Sequence, residues 1–136
     1  MSLGVLTLLS FAAFTASLAT VTDKAVKVEP EPRYDVATVI DVDATVIDTR
    51  VVPQSSPLSG VHLSVKIESE TIDVYLGPVE FLKDFDITFA KGDKIELIGS
   101  KVKFDGARIV LARQVRRDET TLYLRDAKGK PHWKAE

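Results

Sequence analysis

The amino-acid sequence predicts an all-β domain, a small barrel of five to six strands with one short helix between strands 3 and 4. The first observation behind this prediction is alternation: from residue 34 onward, apolar and polar residues alternate with a period of two, as in strands with one buried face. The second is that glycine, proline and aspartate residues break this pattern at short intervals. The third is order, because one short helical pattern interrupts the series after the third strand.

Residues 1–19 are predicted to be a signal peptide that directs export to the periplasm or to the medium. The stretch from Leu3 to Ala19 carries no charged residue, and small side chains occupy Ser17 and Ala19, the positions that a signal peptidase reads. As a helix this stretch spans roughly 25 Å, which is short for a membrane crossing. Because no Lys or Arg precedes it, an uncleaved anchor and a helix of the folded domain stay open as alternatives. Residues 20–33 mix charges with prolines, which is typical of an extended linker.

The domain is predicted to occupy residues 34–126, and its first strand is long. Between about residue 35 and residue 52, β-branched residues are so frequent that a curved strand is expected. One face of this strand carries Val36, Thr38, Ile40, Val42, Ala44 and Val46. The alternate positions include Asp35, Asp41 and Asp43, so we expect that face to point to solvent.

Two hairpins separated by a short helix follow. The first hairpin covers residues 61–76, and the apolar positions between 79 and 85 have the spacing of one or two helical turns. The turn of the second hairpin is Asp105-Gly106. Before this turn the predicted inward positions change from odd to even across Gly99-Ser100, which indicates a β-bulge in the fourth strand. These inward positions are Ile95, Leu97, Val102 and Phe104.

The chain is predicted to end in a short strand and a tail. The strand covers residues 121–125, and residues 127–136 form the C-terminal tail. Trp133 in this tail is expected to fold back and pack against an end of the barrel.

This order of elements is that of a Greek-key barrel with its helix between strands 3 and 4, the OB architecture. The segment GDKIELIGSKVKFDGARIVLARQV, at residues 92–115, resembles the hairpin of strands 4 and 5 in OB-fold proteins. More loosely, residues 34–126 are similar to small exported bacterial OB-like proteins and domains of unknown function. The resemblance implies an OB-like Greek-key barrel, but similarity of fold alone assigns no activity.

Composition excludes several kinds of site. The chain has no Cys, so it forms no disulfide and offers no thiolate for catalysis or metal binding. Its two histidines, His62 and His132, are far apart and form no local metal motif. The net charge is −2, but residues 20–100 carry −7 and residues 101–136 carry +5. This asymmetry predicts either ion pairing between strands or a basic surface that attracts an anionic partner.

No catalytic constellation is predicted, so we expect a protein that is not an enzyme and holds no metal or cofactor. Asp41 and Asp43 share one side of the first strand. Glu68 and Glu70 lie near a turn. Paired carboxylates act as acid and base only when burial separates their pKa values, so we interpret both pairs as solubilising. The sequence also lacks the glycine-containing spacing of a calcium loop, the G-x-S-x-G motif and a glycine-rich phosphate loop.

Binding is the expected role. OB barrels usually meet their ligands on the exposed face of strands 2 and 3. Here that face would present His62, Ser64, Lys66, Asp73 and Tyr75. The later strands add a basic patch at Arg108, Arg113, Arg116, Arg117 and Arg125, and Lys128 and Lys130 follow in the same basic segment. This patch fits an anionic polymer, an anionic lipid surface or an acidic protein, and it equally fits a solvated edge that discourages aggregation.

Two functions follow from this interpretation. The first is a non-catalytic binding or adaptor module of the cell envelope, whose partner is an envelope protein or an anionic surface. The alternative is a nucleic-acid-binding OB domain that takes oligonucleotides. Single-strand binding normally needs several aromatic residues among basic ones, and the predicted face offers only Tyr75 beside Lys66. Nucleic acid is therefore the less favoured partner, and a membrane is expected as partner only if residues 1–19 stay attached.

Overall fold

The structure is a computed structural model, and it describes residues 31–134. The predicted signal peptide at residues 1–19 lies outside the described residues, as do residues 20–30 of the predicted linker. In the part that the structure describes, no helix is long and apolar enough to cross a membrane.

Six strands, one short α-helix and one 3-10 helix make up the described chain. In chain order they are a 3-10 helix at Val36–Thr38, β1 at Val39–Val52, β2 at Gly60–Ile67, β3 at Glu70–Gly77, α1 at Val79–Leu82, β4 at Lys94–Phe104, β5 at Ala107–Arg117 and β6 at Thr120–Tyr123. The strands follow the order β3-β2-β1-β4-β5-β6, and β3 also pairs with β5, so five strands close into a barrel that β6 extends. The predicted all-β barrel with a short helix between strands 3 and 4 is confirmed.

The long first strand pairs with two neighbours, which requires it to curve. Its first half, from Val39 to Thr45, pairs with β4, and its second half, from Thr45 to Val52, pairs with β2. The strand begins at Val39 and not near residue 35, because Asp35 caps the 3-10 helix. The Asp35 carboxylate accepts a hydrogen bond from the Ala37 N–H at 2.9 Å.

The β4–β5 hairpin has the predicted turn, but its bulge lies on the other strand. Asp105 and Gly106 both have positive φ, 54° and 81°, as a tight two-residue hairpin requires. The register shifts between Ile98 and Gly99, close to the predicted position. The residue without a partner is Arg113, so the bulge belongs to β5 and the alternation of β4 continues unbroken.

The barrel interior is apolar, because alternate side chains of each barrel strand point into it. Its buried members are Ala44, Val46, Leu63, Val65, Ile72, Val74, Leu76, Ile95, Leu97, Val110, Ala112, Val115, Leu122 and Leu124. The α1 helix and the loop after it pack Phe81, Leu82, Ile87 and Phe89 against this core. The interior is therefore filled by side chains from every barrel strand and from the helix.

A second apolar cluster, the outer cluster, lies outside the barrel over the seam where β3 pairs with β5. Its members are Leu58, Tyr75, Ile109 and Leu111, with Tyr34, Val102, Phe104 and Trp133 packed against them. Adjacent residues of a strand point to opposite faces, so Val110 faces the interior while Ile109 and Leu111 face outward. The prediction that Val102 and Phe104 point inward is wrong. Because β4 keeps its alternation, Val102 lies opposite Ile109 on the outer face.

Both ends of the described chain pack on the outer cluster. The C-terminal tail folds back, and the Trp133 ring lies edge-on to Tyr75 with 6.2 Å between the ring centroids. At the other end, Tyr34 lies so close to Gly129 that a Cβ atom at position 129 would come within 2.3 Å of its ring. The tail therefore holds the segment that leads into β1.

Candidate functional site

The residues of the predicted ligand face come together on the outer side of β2 and β3. His62 lies opposite Tyr75, and Ser64 lies opposite Asp73. The expectation that this face is open to solvent is wrong for two members, because His62 and Tyr75 are each 4% exposed. The loop between β1 and β2 covers them, whereas Lys66 is exposed. Ligand binding on this face stays a prediction, but His62 and Tyr75 are not open to a ligand.

Hydrogen bonds hold the covered part of this face in place. His62 Nδ1 lies 2.8 Å from Asp73 Oδ2, and its Nε2 lies 2.7 Å from the Leu58 carbonyl oxygen. Tyr75 Oη donates to the Ser59 carbonyl at 2.9 Å. These bonds tie the β1–β2 loop to β3, so this part of the face has a structural role.

Burial and charge shift the titration of two groups in this cluster. Burial acts to raise the pKa of Asp73, but the hydrogen bond from His62 and the ion pair with Arg50, at 2.8 Å, outweigh it and lower that pKa below its usual value. Burial raises the pKa of Tyr75 to about 12, and the nearby charge of Glu31 adds to this effect. Neither group titrates near neutral pH, where a general acid or base works best.

The predicted basic patch does not form one surface, because Arg116 and Arg117 are engaged within the domain. Arg116 Nε donates to Glu96 Oε1 at 3.1 Å. Arg117 Nη1 donates to Asp93 Oδ2 at 3.0 Å and also to the Thr88 carbonyl. At this end of β5, the charge asymmetry of the sequence is resolved by pairing between neighbouring strands and turns.

Arg125 also leaves the predicted patch, because its side chain is 7% exposed. It donates to the Gly129 carbonyl at 2.9 Å. Its guanidinium lies 5.8 Å from the Tyr34 ring centroid and 5.3 Å from that of Trp133. Burial lowers the pKa of Arg125. Arg125 therefore orders the C-terminal tail, and Arg113 is half-buried at the bulge of β5.

Arg108 lies on a different surface, which we name the basic groove. The groove runs between residues 33–40 and the β4–β5 hairpin and has a volume of about 1060 Å³. Its cationic lining residues are Arg33, Lys101, Lys103, Arg108 and Lys128. Among the described residues, Asp35 is the one acidic residue that lines it. Apolar side chains lie between the charges, including Val102 and Val36, which is 61% exposed.

Two cations of the basic groove face each other directly. Lys103 lies opposite Arg108 in the hairpin register, and facing residues of neighbouring strands have Cβ atoms about 5 Å apart. Neither forms an ion pair with another residue between 31 and 134. Lys101 differs, because its Nζ donates to Glu70 Oε1 at 3.0 Å. Around Lys103 and Arg108 the groove therefore presents positive charge that the described chain does not neutralise.

Arg33 and Lys103 belong to this groove but were not among the predicted basic residues, whereas Lys128 was named in the predicted basic segment. One signal for Lys103 was present, because a two-residue turn at Asp105-Gly106 places position 103 opposite position 108. Arg33 reaches the groove through the tertiary fold and had no local signal.

An acidic face, formed by Asp41, Asp43 and Glu96, lies on the outer side of β1 and β4. Asp43 is exposed and lies opposite Glu96. The hydrogen bond from Arg116 lowers the pKa of Glu96. Partial desolvation and a hydrogen bond shared with Glu96 raise the pKa of Asp41. Within residues 31–134, no cluster of three or more metal-ligating side chains is placed to hold a metal ion.

The barrel and its surfaces belong to a chain that resembles one known family. The family model described as MamS/MamX magnetosome protein family matches residues 38–122. The chain belongs to this family. In this MamS/MamX family member the match runs from the 3-10 helix into β6, so it includes Lys103 and Arg108 but not Arg33 or Lys128. No curated protein and no solved structure matches the chain. The resemblance to small OB-like proteins is thus confirmed only at the level of a small β-barrel.

Proposed function

We propose that this MamS/MamX family member is an exported, non-catalytic binding module of the bacterial cell envelope, which docks on an anionic partner through the basic groove. The observation that carries the proposal is the pair Lys103 and Arg108, which face each other across the hairpin. Like charges directly opposite each other destabilise a sheet. A bound anion would remove this repulsion. It would place beside Lys103 and Arg108 the negative charge that no ion-pair partner among residues 31–134 provides.

The form of the groove supports an extended partner. It is a wide concavity lined by cations. Val36, which is exposed, and Val102, which is half-buried, lie between these cations. Positive charge collected in a concave surface attracts anionic surfaces over a distance, and apolar side chains add contact once the partner is near. A flat or elongated anionic surface meets these conditions.

The sequence supports the exported location and the non-catalytic role. Residues 3–19 are uncharged and largely apolar, and a polar linker follows them. The chain contains no cysteine and no nucleophile motif of the kinds used in covalent catalysis. Membership in a magnetosome protein family agrees with a bacterial protein.

Isolated bacterial envelope membranes provide the test of this proposal. We expect the full chain to bind them with an affinity that falls as the salt concentration rises, because salt screens exposed charges. The double variant K103E/R108E should weaken binding by about tenfold or more, since each cation near an anionic surface contributes about fivefold. Cosedimentation with the membranes at several salt concentrations measures the effect.

The matched control is K91E/K94E, which changes the net charge equally at exposed lysines outside the groove. In K103E/R108E the facing residues still repel each other, so its fold should be as stable as that of the parent. An equal loss in both double variants would overturn the proposal, as would recovery of the full chain only from the cytoplasm. If Trp133 fluorescence shows tighter binding to a single-stranded oligonucleotide than to the membranes, the nucleic-acid alternative replaces it.

A further inference from the structure

We infer that the anionic partner of the basic groove is a membrane surface rich in acidic phospholipid headgroups; this inference rests on the function proposed above. Lipid headgroups are favoured over an acidic protein by the extent of the cationic surface, by the side chains between its charges and by the point where the chain enters the domain. The nearly balanced charge at the far end of the barrel adds a preferred orientation.

The basic groove continues into a second cleft beside the C-terminal tail. This cleft has a volume of about 390 Å³ and shares Arg33 and Lys128 with the groove. Its lining adds Lys130 and Lys134, with Glu31 as an acidic member. The two concavities therefore form one long cationic surface, which suits a planar array of phosphates better than one compact acidic site.

Aromatic and apolar side chains lie among these cations. Tyr34 lines both concavities, and Val36 is an exposed lining residue of the groove. Trp133 lies on the same side, with its ring beside the guanidinium of Arg125. Tyr and Trp are favoured where an apolar layer meets a polar one. Cations mixed with such side chains are typical of peripheral membrane surfaces, where apolar contact adds to electrostatic attraction.

The chain enters the domain within this cationic surface. The charge of Glu31 acts on Arg125, so the first described residues run along the C-terminal tail. Residues 20–30 reach at most about 40 Å when fully extended, and they connect the domain to the uncharged segment at residues 3–19. An export segment of this kind enters a membrane, so while it stays attached the cationic surface is the side of the domain that is brought near the headgroups.

The far end of the barrel carries mixed charge, and its acidic residues only slightly outnumber its basic ones. Glu96, in the acidic face, and Lys103, in the basic groove, lie on the same strand. At about 3.3 Å per residue they are roughly 23 Å apart. Glu96 is paired with Arg116, whereas Lys103 and Arg108 have no ion-pair partner among residues 31–134. An anionic membrane therefore attracts the groove more strongly than the far end, which favours an orientation with the β4–β5 hairpin toward the lipid.

Vesicles that contain no protein test the inference. The probes are vesicles of phosphatidylcholine alone and of phosphatidylcholine mixed with phosphatidylglycerol, and cosedimentation of the full chain is measured. We expect binding at low salt to be about tenfold or more stronger on the anionic vesicles. The preference for anionic vesicles should disappear in K103E/R108E and should persist in K91E/K94E. Any binding through residues 1–19 is common to both vesicle types, so the difference reports the groove.

Trp133 gives an independent signal, because it is the single tryptophan of the chain. Its fluorescence should be quenched by brominated phosphatidylglycerol when the parent protein binds, and much less with K103E/R108E. Circular dichroism spectra and urea midpoints establish that all variants fold.

The outcomes separate the lipid inference from the proposed function. The lipid inference is overturned if the parent binds both vesicle types equally. It is also overturned if the parent, K103E/R108E and K91E/K94E all show the same preference for anionic vesicles. A third outcome is that the parent binds envelope membranes more strongly than K103E/R108E, and that protease treatment of the membranes abolishes this difference. The partner is then an acidic protein, and the docking function stands. If neither vesicles nor envelope membranes respond to the substitution, both are wrong.

Discussion

The two ends of β5 carry cations in different surroundings. At the C-terminal end, Arg116 and Arg117 form ion pairs with acidic residues of the domain. At the N-terminal end, Arg108 lies opposite Lys103 and has no ion-pair partner among residues 31–134. One strand thus contains both a neutralised and an unneutralised basic region.

This difference separates charge that serves the fold from charge that is available to a partner. The charge of a paired arginine is already balanced by its carboxylate, so it attracts an external anion less strongly. A cation that faces another cation gains from the same anion without losing a contact. The number of arginines along β5 therefore overstates the docking surface, and the position of each one relative to the acidic residues of β4 decides which are available.

The largest expected effect is on stability, and it lies in the middle of β5, between the paired and the unpaired end. Leu111 is completely buried in the outer cluster, so Leu111→Ala should lower the free energy of unfolding by about 2–5 kcal/mol. Urea unfolding measures this change. Val51→Ala is the control, because Val51 is 64% exposed and its loss should change stability by less than about 0.5 kcal/mol. A loss in Leu111→Ala no larger than in the control would contradict the packing of the outer cluster.

A smaller effect is expected at the paired end of β5. The Ala90 N–H donates to the Asp93 carboxylate, and this bond together with Arg117 outweighs partial desolvation and lowers the pKa of Asp93 below 3.8. A carboxylate with a lowered pKa stabilises the fold above its usual pKa, and this stabilisation is lost as the pH falls through the lowered value. Asp93→Asn should therefore lower the urea midpoint at neutral pH, and the difference from the parent should shrink as the pH falls below about 4.

The control for this pH dependence is Asp86→Asn, at an exposed residue of the loop before β4. It should leave the profile of urea midpoint against pH close to that of the parent. Parallel profiles for Asp93→Asn and the parent would show that the paired end of β5 contributes no pH-dependent stability.

The smallest expected effect lies at the unpaired end, and it has the opposite sign. Lys103→Glu replaces a repulsive pair with an ion pair to Arg108, which should raise the free energy of unfolding by about 0.2–1 kcal/mol. The same substitution should weaken binding to anionic vesicles. Lys94→Glu is the matched control, because Lys94 lies opposite Thr45 and its reversal relieves no facing charge. The distinction between the two ends would be contradicted if Lys103→Glu were less stable than the parent. It would also be contradicted if this variant bound anionic vesicles as tightly as the parent.

Alternation along the chain predicted most of the barrel interior, although it placed Val102 and Phe104 inward and they lie in the outer cluster. Val65, Val74 and Leu97 are completely buried where the period of two places them. The outer cluster could not be predicted in this way, because its members come from strands, a loop and both ends of the described chain. No local pattern indicates that Leu58 packs with Tyr75 on the outside of the barrel. The predicted ligand face was therefore correct in its register, and wrong in the exposure of His62 and Tyr75.

The basic groove was predictable only in part. The turn at Asp105-Gly106 sets Lys103 opposite Arg108, so this pair follows from the sequence once the hairpin is recognised. The pairing of Arg116 with Glu96 depends instead on the register beyond the bulge at Arg113. A one-residue change in register moves side chains to the other face of a strand. The bulge was predicted on β4 but lies on β5. For this reason the sequence alone did not distinguish the arginines that form ion pairs from those that do not.

The contact between Tyr34 and Gly129 determines how mechanical load passes from the linker to the domain. Only glycine leaves room for the ring, since a Cβ atom at position 129 would lie 2.3 Å from it. A pulling force on the chain before Glu31 therefore acts first on the C-terminal tail, through this interlocked ring, and reaches the hydrogen bonds between β1 and β4 only afterwards.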